Sequence, residues 1–414
     1  MPGPGMELVG EEEIKEVMEV LQSGYLYRYQ VGQDARFQGK VVKLEQEMAR
    51  RSQVRHALAV NSGTTALLAA LVGLGVGPGD EVIVPGFTFV ASMSAIVYAG
   101  AVPVLGEVDR TLNLDPEDVK KKITPRTKAI MAVHMMGNPA RLDELNAIAA
   151  KHNLFLIEDC AQAFGASYRG RPIGSMGHVG IFSFNVFKTV TSGDGGMIIT
   201  DDQDLYRRCF AFHDQGHAPL RHGVEIGKRP FLGLDFRYTE LQAAVLLAQI
   251  RKLPPILDHL RANKQRFKSA IAGLPGLEFR EVIDPQGDIG TILTVILPTS
   301  EVAQRIAKDL GNKVIAEAGW HVYSNMEHLL EQRVVNTVGC SFSCPHYAER
   351  GGQMHYWKGM LPQTDDLLAR SMNISIGVLD AGLSASFGVT VNHGPDVVDK
   401  KAAEFRQVAS RYLS

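Results

Sequence analysis

Three short segments carry side chains able to do chemistry together, and each sits where an α/β chain places its ligands. Asn61-Ser-Gly-Thr-Thr65 follows the apolar run 57–60 and opens a helix that starts near Ala66. Unpaired backbone N–H groups at a helix start, the positive end of its dipole and the added hydroxyls bind phosphate. The same residues also serve as a plain helix cap. Glu158-Asp-Cys-Ala-Gln162 ends the run 154–157. That puts Asp159 at the carboxyl end of a strand, where open α/β sheets hold ligands, or at the cap of the next turn. Ser183-Phe-Asn-Val-Phe-Lys188 precedes Ser192-Gly-Asp-Gly-Gly196. A lysine amine among apolar neighbours beside a glycine turn is desolvated, which lowers its proton affinity, although most lysines are surface charges.

The order of the three is more telling than any one of them. An anion cradle, then a strand-end carboxylate, then an amine is the donor set that pyridoxal 5′-phosphate (PLP) requires. The cofactor has a phosphate of about −1.5 to −2 charge, a pyridine nitrogen that needs an acidic partner and an aldehyde that needs an amine.

The elements that must position these groups read as an α/β domain. Short apolar runs occur at Ala57–Val60, Glu81–Val84, Val102–Leu105, Ala129–Val133, Leu154–Ile157, Gly180–Phe184 and Met197–Thr200, with helical patterns between the first five. Unbroken apolar strands separated by helices suit a sheet covered on both faces. Residues 10–23, ended by Gly24, and about 40–51 read as amphipathic helices. A long helix from about Thr239 is expected to break at Pro254-Pro255, because proline removes a helical donor and clashes with the preceding turn. The expected division is an N-terminal helix and arm over 1–30, a large α/β domain over 31–253 and a small α+β domain over 254–414. Strands near 290–297 and 371–377 and helices near 301–310 and 395–412 belong to the last. Segment 335–362, with His346, Tyr347, His355, Tyr356 and Trp357, reads as a long loop, functional or disordered, and its aromatic and histidine content makes it the expected source of specificity.

Bulk properties narrow the partners. The chain has 414 residues, 45% hydrophobic and 21% charged, and a net charge of −2. A chain this long exceeds one ordinary core. The absence of a basic run argues against nucleic acid and anionic membrane. Met1-Pro-Gly-Pro-Gly-Met6 has no secretion-signal pattern, and the longest apolar stretch, near Ala66–Gly77, is too short for a bilayer. The four cysteines make no disulfide framework, so a reduced, cytoplasmic setting is expected.

With these residues in view, the chain resembles the DegT/DnrJ/EryC1/StrS aminotransferases, the sugar and cyclitol branch of fold-type I PLP enzymes. The resemblance runs from about Gly24 to Pro255 and more weakly over 361–377. Its segments are Asn61–Leu67, Val84-Pro-Gly-Phe-Thr-Phe-Val-Ala91, His134-Met-Met-Gly137, Glu158–Ala163, Phe182–Phe184 with Lys188, Gly193-Asp-Gly-Gly196 and Gly233–Ala244. The resemblance implies the aspartate-aminotransferase-like fold, with a large mostly parallel sheet domain and a smaller α+β domain. It implies ping-pong transfer of an amino group from glutamate or glutamine to a keto-sugar or keto-cyclitol, in a homodimer with sites at the interface. Lys188 would form the internal aldimine and shuttle the proton, Asp159 would keep the pyridine nitrogen protonated, and Gln162 would bond the 3-hydroxyl side of the ring. Phe89 would stack on the ring, while Gly63, Thr64, Thr65 and Ser183 would hold the phosphate.

One position departs from the pattern. Asp235 stands where relatives carry an asparagine that reaches a partner subunit's phosphate. A carboxylate there repels a dianion unless it is protonated, turned away or paired, for instance with Arg237. Some relatives are sugar dehydratases that replace the lysine by histidine, and Lys188 argues against that reaction. A PLP-binding sensor without turnover would carry an appended domain, and none is visible. Gly73-Leu-Gly-Val-Gly77 has the reverse of the dinucleotide-loop order and reads as a turn. Cys340, Cys344, His346 and His355 match no zinc spacing. Tyr25, Tyr27, Arg28 and Tyr29 face either the substrate or the core.

Overall fold

The computed structural model describes residues 3–30, 34–219, 229–335 and 341–413. Two amphipathic helices, α1 (Glu11–Ser23) and α2 (Lys40–Ser52), lead into the sheet. Alternation then begins: β1 (His56–Val60), α3 (Gly63–Gly73), β2 (Glu81–Pro85), α4 (Val90–Tyr98), β3 (Val102–Gly106), α5 (Pro116–Lys122) and β4 (Thr127–Val133). It continues through α6 (Leu142–His152), β5 (Phe155–Asp159), β6 (Val179–Ser183), β7 (Gly196–Thr200) and α7 (Gln203–His213).

These seven strands form one sheet in the order β1-β7-β6-β5-β4-β2-β3. Every pairing is parallel except the two made by β7. Strands β2, β3 and β7 are buried along their whole length, as a sheet sandwiched between helices requires. Helix α3 is the extreme case: Ala66, Leu67, Ala69, Ala70, Leu71 and both terminal glycines are buried, with no polar stripe, so it runs through the core rather than over it.

Helix α8 (Glu240–Ile271) follows, then a three-stranded antiparallel sheet of β8 (Glu278–Phe279), β9 (Ile292–Ile296) and β10 (Ser371–Ser375). Helices α9 (Ser300–Asp309), α10 (Pro362–Ala369) and α11 (Pro395–Ala409) flank it. The expected break at Pro254-Pro255 is absent, because α8 runs through both prolines. Both face solvent while Leu253, Ile256, Leu257 and Leu260 pack inward. The apolar stripe packed inward keeps the helix intact. The segment expected as a loop over 335–362 contains a short helix, Pro345–Glu349, among its described residues.

Candidate active site

A cavity of about 560 Å3 opens at the carboxyl ends of the parallel strands, the usual ligand crevice of such sheets. Lys188, Asp159, Gln162, Phe89, Ser183, Gly63 and Thr64 all line it. Three separate stretches of sequence therefore converge on one small volume.

Asp159 is the last residue of β5. Its Oδ2 accepts the Ser92 hydroxyl at 2.8 Å and its Oδ1 accepts the Ala161 N–H at 3.1 Å. Burial pushes this carboxyl above its ordinary range, against the Ser92 and Ala161 hydrogen bonds and the nearby charge of Lys188. Glu158, one residue earlier, points to the other side of the sheet. Its oxygens accept the N–H groups of Gly174, Met176 and Gly177 and face Nε2 of His134 at 3.2 Å. With Cys160 these residues form a buried trio, but their polar atoms are already committed to one another and to the backbone.

Lys188 follows β6 on a tight loop, its N–H bonded to the carbonyl of Asn185 at 2.9 Å. The loop is held from outside the sheet as well: Gly3 N–H reaches the Val186 carbonyl at 2.8 Å, and Gly5 N–H reaches that of Lys188 at 3.4 Å. Desolvation lowers the affinity of the Lys188 amine for its proton, opposed by Asp159 and Asp380. The side chain is half-buried, surrounded by protein and looking into an open cavity.

The anion cradle depends on a close approach. A Cβ at Gly63 would stand 2.7 Å from the Ser183 Cβ, so glycine there lets the start of α3 meet the end of β6. Thr64 is exposed to the cavity. Thr65 is not among the lining residues. It makes a reciprocal cap, its N–H bonding to Ser62 Oγ at 3.1 Å while its Oγ1 accepts the Ser62 N–H at 3.1 Å.

Gln162 is fixed at both ends. Its Oε1 accepts the Met136 N–H at 3.0 Å, and its Nε2 lies 3.3 Å from His321 Nε2. Phe89 is 41% exposed and its ring centre is 5.3 Å from that of His321, leaving a flat apolar face toward the cavity.

Among the lining residues that escaped the sequence reading are Ser92, Trp320, His321 and Asp380. Ser92 had a weak signal, a hydroxyl one turn into the helix after β2. The others arrive from the C-terminal third of the chain, and no local pattern joins them to Lys188.

Asp235 turns out to be paired: its carboxylate bonds Arg237, which also bonds Asp214 at 2.5 Å. Arg28 is buried against Glu45 at 2.8 Å, and Tyr29 bonds Asp214, so these two serve packing; Tyr27 is exposed, and none of the stretch lines the cavity. His346 is exposed beside Glu349 and Cys344 is buried, while Cys340 lies outside the described residues. Among the described residues, no helix is long and apolar enough to cross a membrane.

A mostly parallel seven-stranded sheet, a lysine loop at its carboxyl edge and a strand-end aspartate facing it define the fold of the PLP-dependent aminotransferases. The chain belongs to the DegT/DnrJ/EryC1/StrS aminotransferase family, whose model matches residues 7–371. It is 45% identical over 226 residues to GDP-perosamine synthase of Caulobacter vibrioides, a match spanning 54% of this chain and 59% of that relative. It is 41% identical over 286 residues to the L-glutamine:2-deoxy-scyllo-inosose aminotransferase of Streptoalloteichus tenebrarius, spanning 65% and 67% of the two chains. The solved aminotransferase of Psychrobacter cryohalolentis superposes with a TM-score of 0.78 at 28% identity, covering 100% of this chain and 99% of that one.

Proposed function

We propose that the cavity holds PLP and that the protein moves an amino group from glutamate or glutamine to a keto-sugar or keto-cyclitol. The observation that carries this is the pairing of a desolvated amine with a buried carboxylate across one cavity, Lys188 facing Asp159. The glycine-opened cradle at Gly63 and the flat face of Phe89 fit the remaining parts of the cofactor.

PLP, when bound, supplies an aldehyde carbon that takes up the amino group and a ring that accepts the electron pair released at the donor carbon. Each residue then has a task of its own. Lys188, with its proton affinity lowered by burial, is an amine that would take a proton from the donor carbon and deliver it to the carbon that was the cofactor's aldehyde. Asp159, an anion in a dry setting, holds a proton at the pyridine nitrogen beside it. The N–H groups at the start of α3, with Thr64 and Ser183, bind the phosphate dianion. Phe89 supports the ring face, and Gln162 bonds the ring oxygen.

The substrates rest on the relatives' names, one a synthase of GDP-perosamine and one an aminotransferase of L-glutamine and 2-deoxy-scyllo-inosose. The same reading has the chain working in the cytoplasm as a homodimer. Phe89, Phe187 and Trp320, exposed around the cavity, suit a mouth completed by a second subunit. The test is spectroscopic. Purified protein with PLP is expected to show the absorption band of a lysine-bound cofactor, lost on adding glutamate or glutamine and restored by a ketone acceptor. A wild-type protein with no such band rules the reading out.

A further inference from the structure

His321 presents two ring nitrogens to two partners of opposite kind. Its Nδ1 lies 3.0 Å from the carbonyl oxygen of Gly382, an atom that only accepts, so Nδ1 carries the proton. Its Nε2, left with a lone pair, lies 3.3 Å from Nε2 of Gln162. The direction of that amide is set independently, because Gln162 Oε1 accepts the Met136 N–H at 3.0 Å. The amide nitrogen therefore faces the histidine, and one of its two protons goes to Nε2.

The ring has little freedom. Asp380 Oδ1 accepts the Gly382 N–H at 2.7 Å and fixes the carbonyl that Nδ1 meets. The His321 carbonyl accepts the Thr88 N–H at 2.9 Å, and the Trp320 carbonyl accepts the Val90 N–H at 2.9 Å. Burial also drives the His321 pKa down to about 4, so near neutral pH no second proton competes for Nε2.

We propose that His321 is a positioning residue: it binds one amide proton of Gln162 and leaves the other N–H directed into the cavity, where it donates to the ring oxygen of the bound cofactor. This rests on the reading of the cavity as a PLP site. A turn at residues 380–382, some 220 positions beyond Gln162, thereby sets the donor that a cofactor oxygen meets. Without the histidine, both amide protons compete for that oxygen and for water, and the amide loses its fixed plane.

Two measurements test this. In apo-protein labelled with 15N-histidine, long-range proton–nitrogen spectra at pH 7 are expected to show His321 as the Nδ1–H tautomer. An Nε2–H tautomer or an imidazolium overturns the proposal. The second is a double-mutant cycle read as the PLP dissociation constant, with far-UV circular dichroism confirming the fold. His321→Phe is expected to weaken binding about 5–10-fold, the scale of one hydrogen bond, and to shift the absorption maximum of the bound cofactor. In a Gln162→Ala background the same change is expected to cost almost nothing. Additive losses overturn the proposal, and should His321→Phe not fold, the tautomer spectrum of the wild type decides. Wild-type protein that binds no PLP would instead sink the cofactor reading and leave the tautomer result standing.

Discussion

Ser92 Oγ donates to Asp159 Oδ2 at 2.8 Å, and Thr88 Oγ1 stands 2.7 Å behind it. With its proton given to the carboxylate, Ser92 receives the Thr88 hydroxyl proton in turn. Two hydroxyls in line thus stabilise the negative charge of a carboxyl group that burial disfavours.

Ser92→Ala removes the end of that chain. Hydrogen bonds to charged groups contribute about 1.5–3 kcal/mol, so the variant is expected to bind PLP about tenfold more weakly or worse, measured by equilibrium titration. Unchanged affinity would mean that Ser92 does not support the aspartate.

Asp159→Asn keeps the shape and removes the charge. Amine transfer from glutamate, followed by stopped-flow absorption, is expected to slow by about 10²–10⁴-fold, the usual range for a lost proton-handling group. Retention of most of the rate would show that the ring nitrogen is not served by this residue.

Thr64 and Thr65 separate binding from stability. Thr65 Oγ1 is engaged in the cap of α3, so Thr65→Ala is expected to cost about 1 kcal/mol of stability, seen as a lower Tm. Thr64→Ala, at an exposed cavity position, should leave Tm in place and weaken PLP binding several-fold. The reverse pattern would reassign the two hydroxyls.

That contrast marks what the sequence makes legible. Asp159, Gln162 and Lys188 are readable because each sits at a strand end or glycine turn, and the elements around them repeat every few tens of residues. Thr65 misleads because a helix start uses hydroxyls for its own N–H groups and for a ligand alike, and Ser62-x-x-Thr65 has the spacing of a reciprocal cap. His321 and Asp380 are illegible because only the packing of the second sheet brings them to the cavity. The Pro254-Pro255 pair misleads differently: local propensity is overruled by burial on one side of α8.

Lys188 also makes the stability of the apo-protein depend on pH. Its folded-state pKa is lowered from 10.5, so below 10.5 the unfolded chain binds the extra proton and stability rises with pH until that value is passed. Lys188→Ala is expected to abolish turnover and to remove this contribution. Urea unfolding of both apo-proteins between pH 7 and 10 is expected to show wild-type stability climbing relative to the variant. A difference that stays flat would mean the amine is well solvated.

The 32-residue helix α8 acts as a beam between the N-terminal helices and the C-terminal part of the chain. It packs against α1 and α2 at one end and against α11 at the other. Cutting the gene at codon 254 would therefore not release two modules. Each fragment would be left with half a beam and a stripe of bare leucines and isoleucines, prone to clump rather than to dock. Swapping C-terminal portions between relatives should succeed only when the crossover lies past Ile271, where the beam ends.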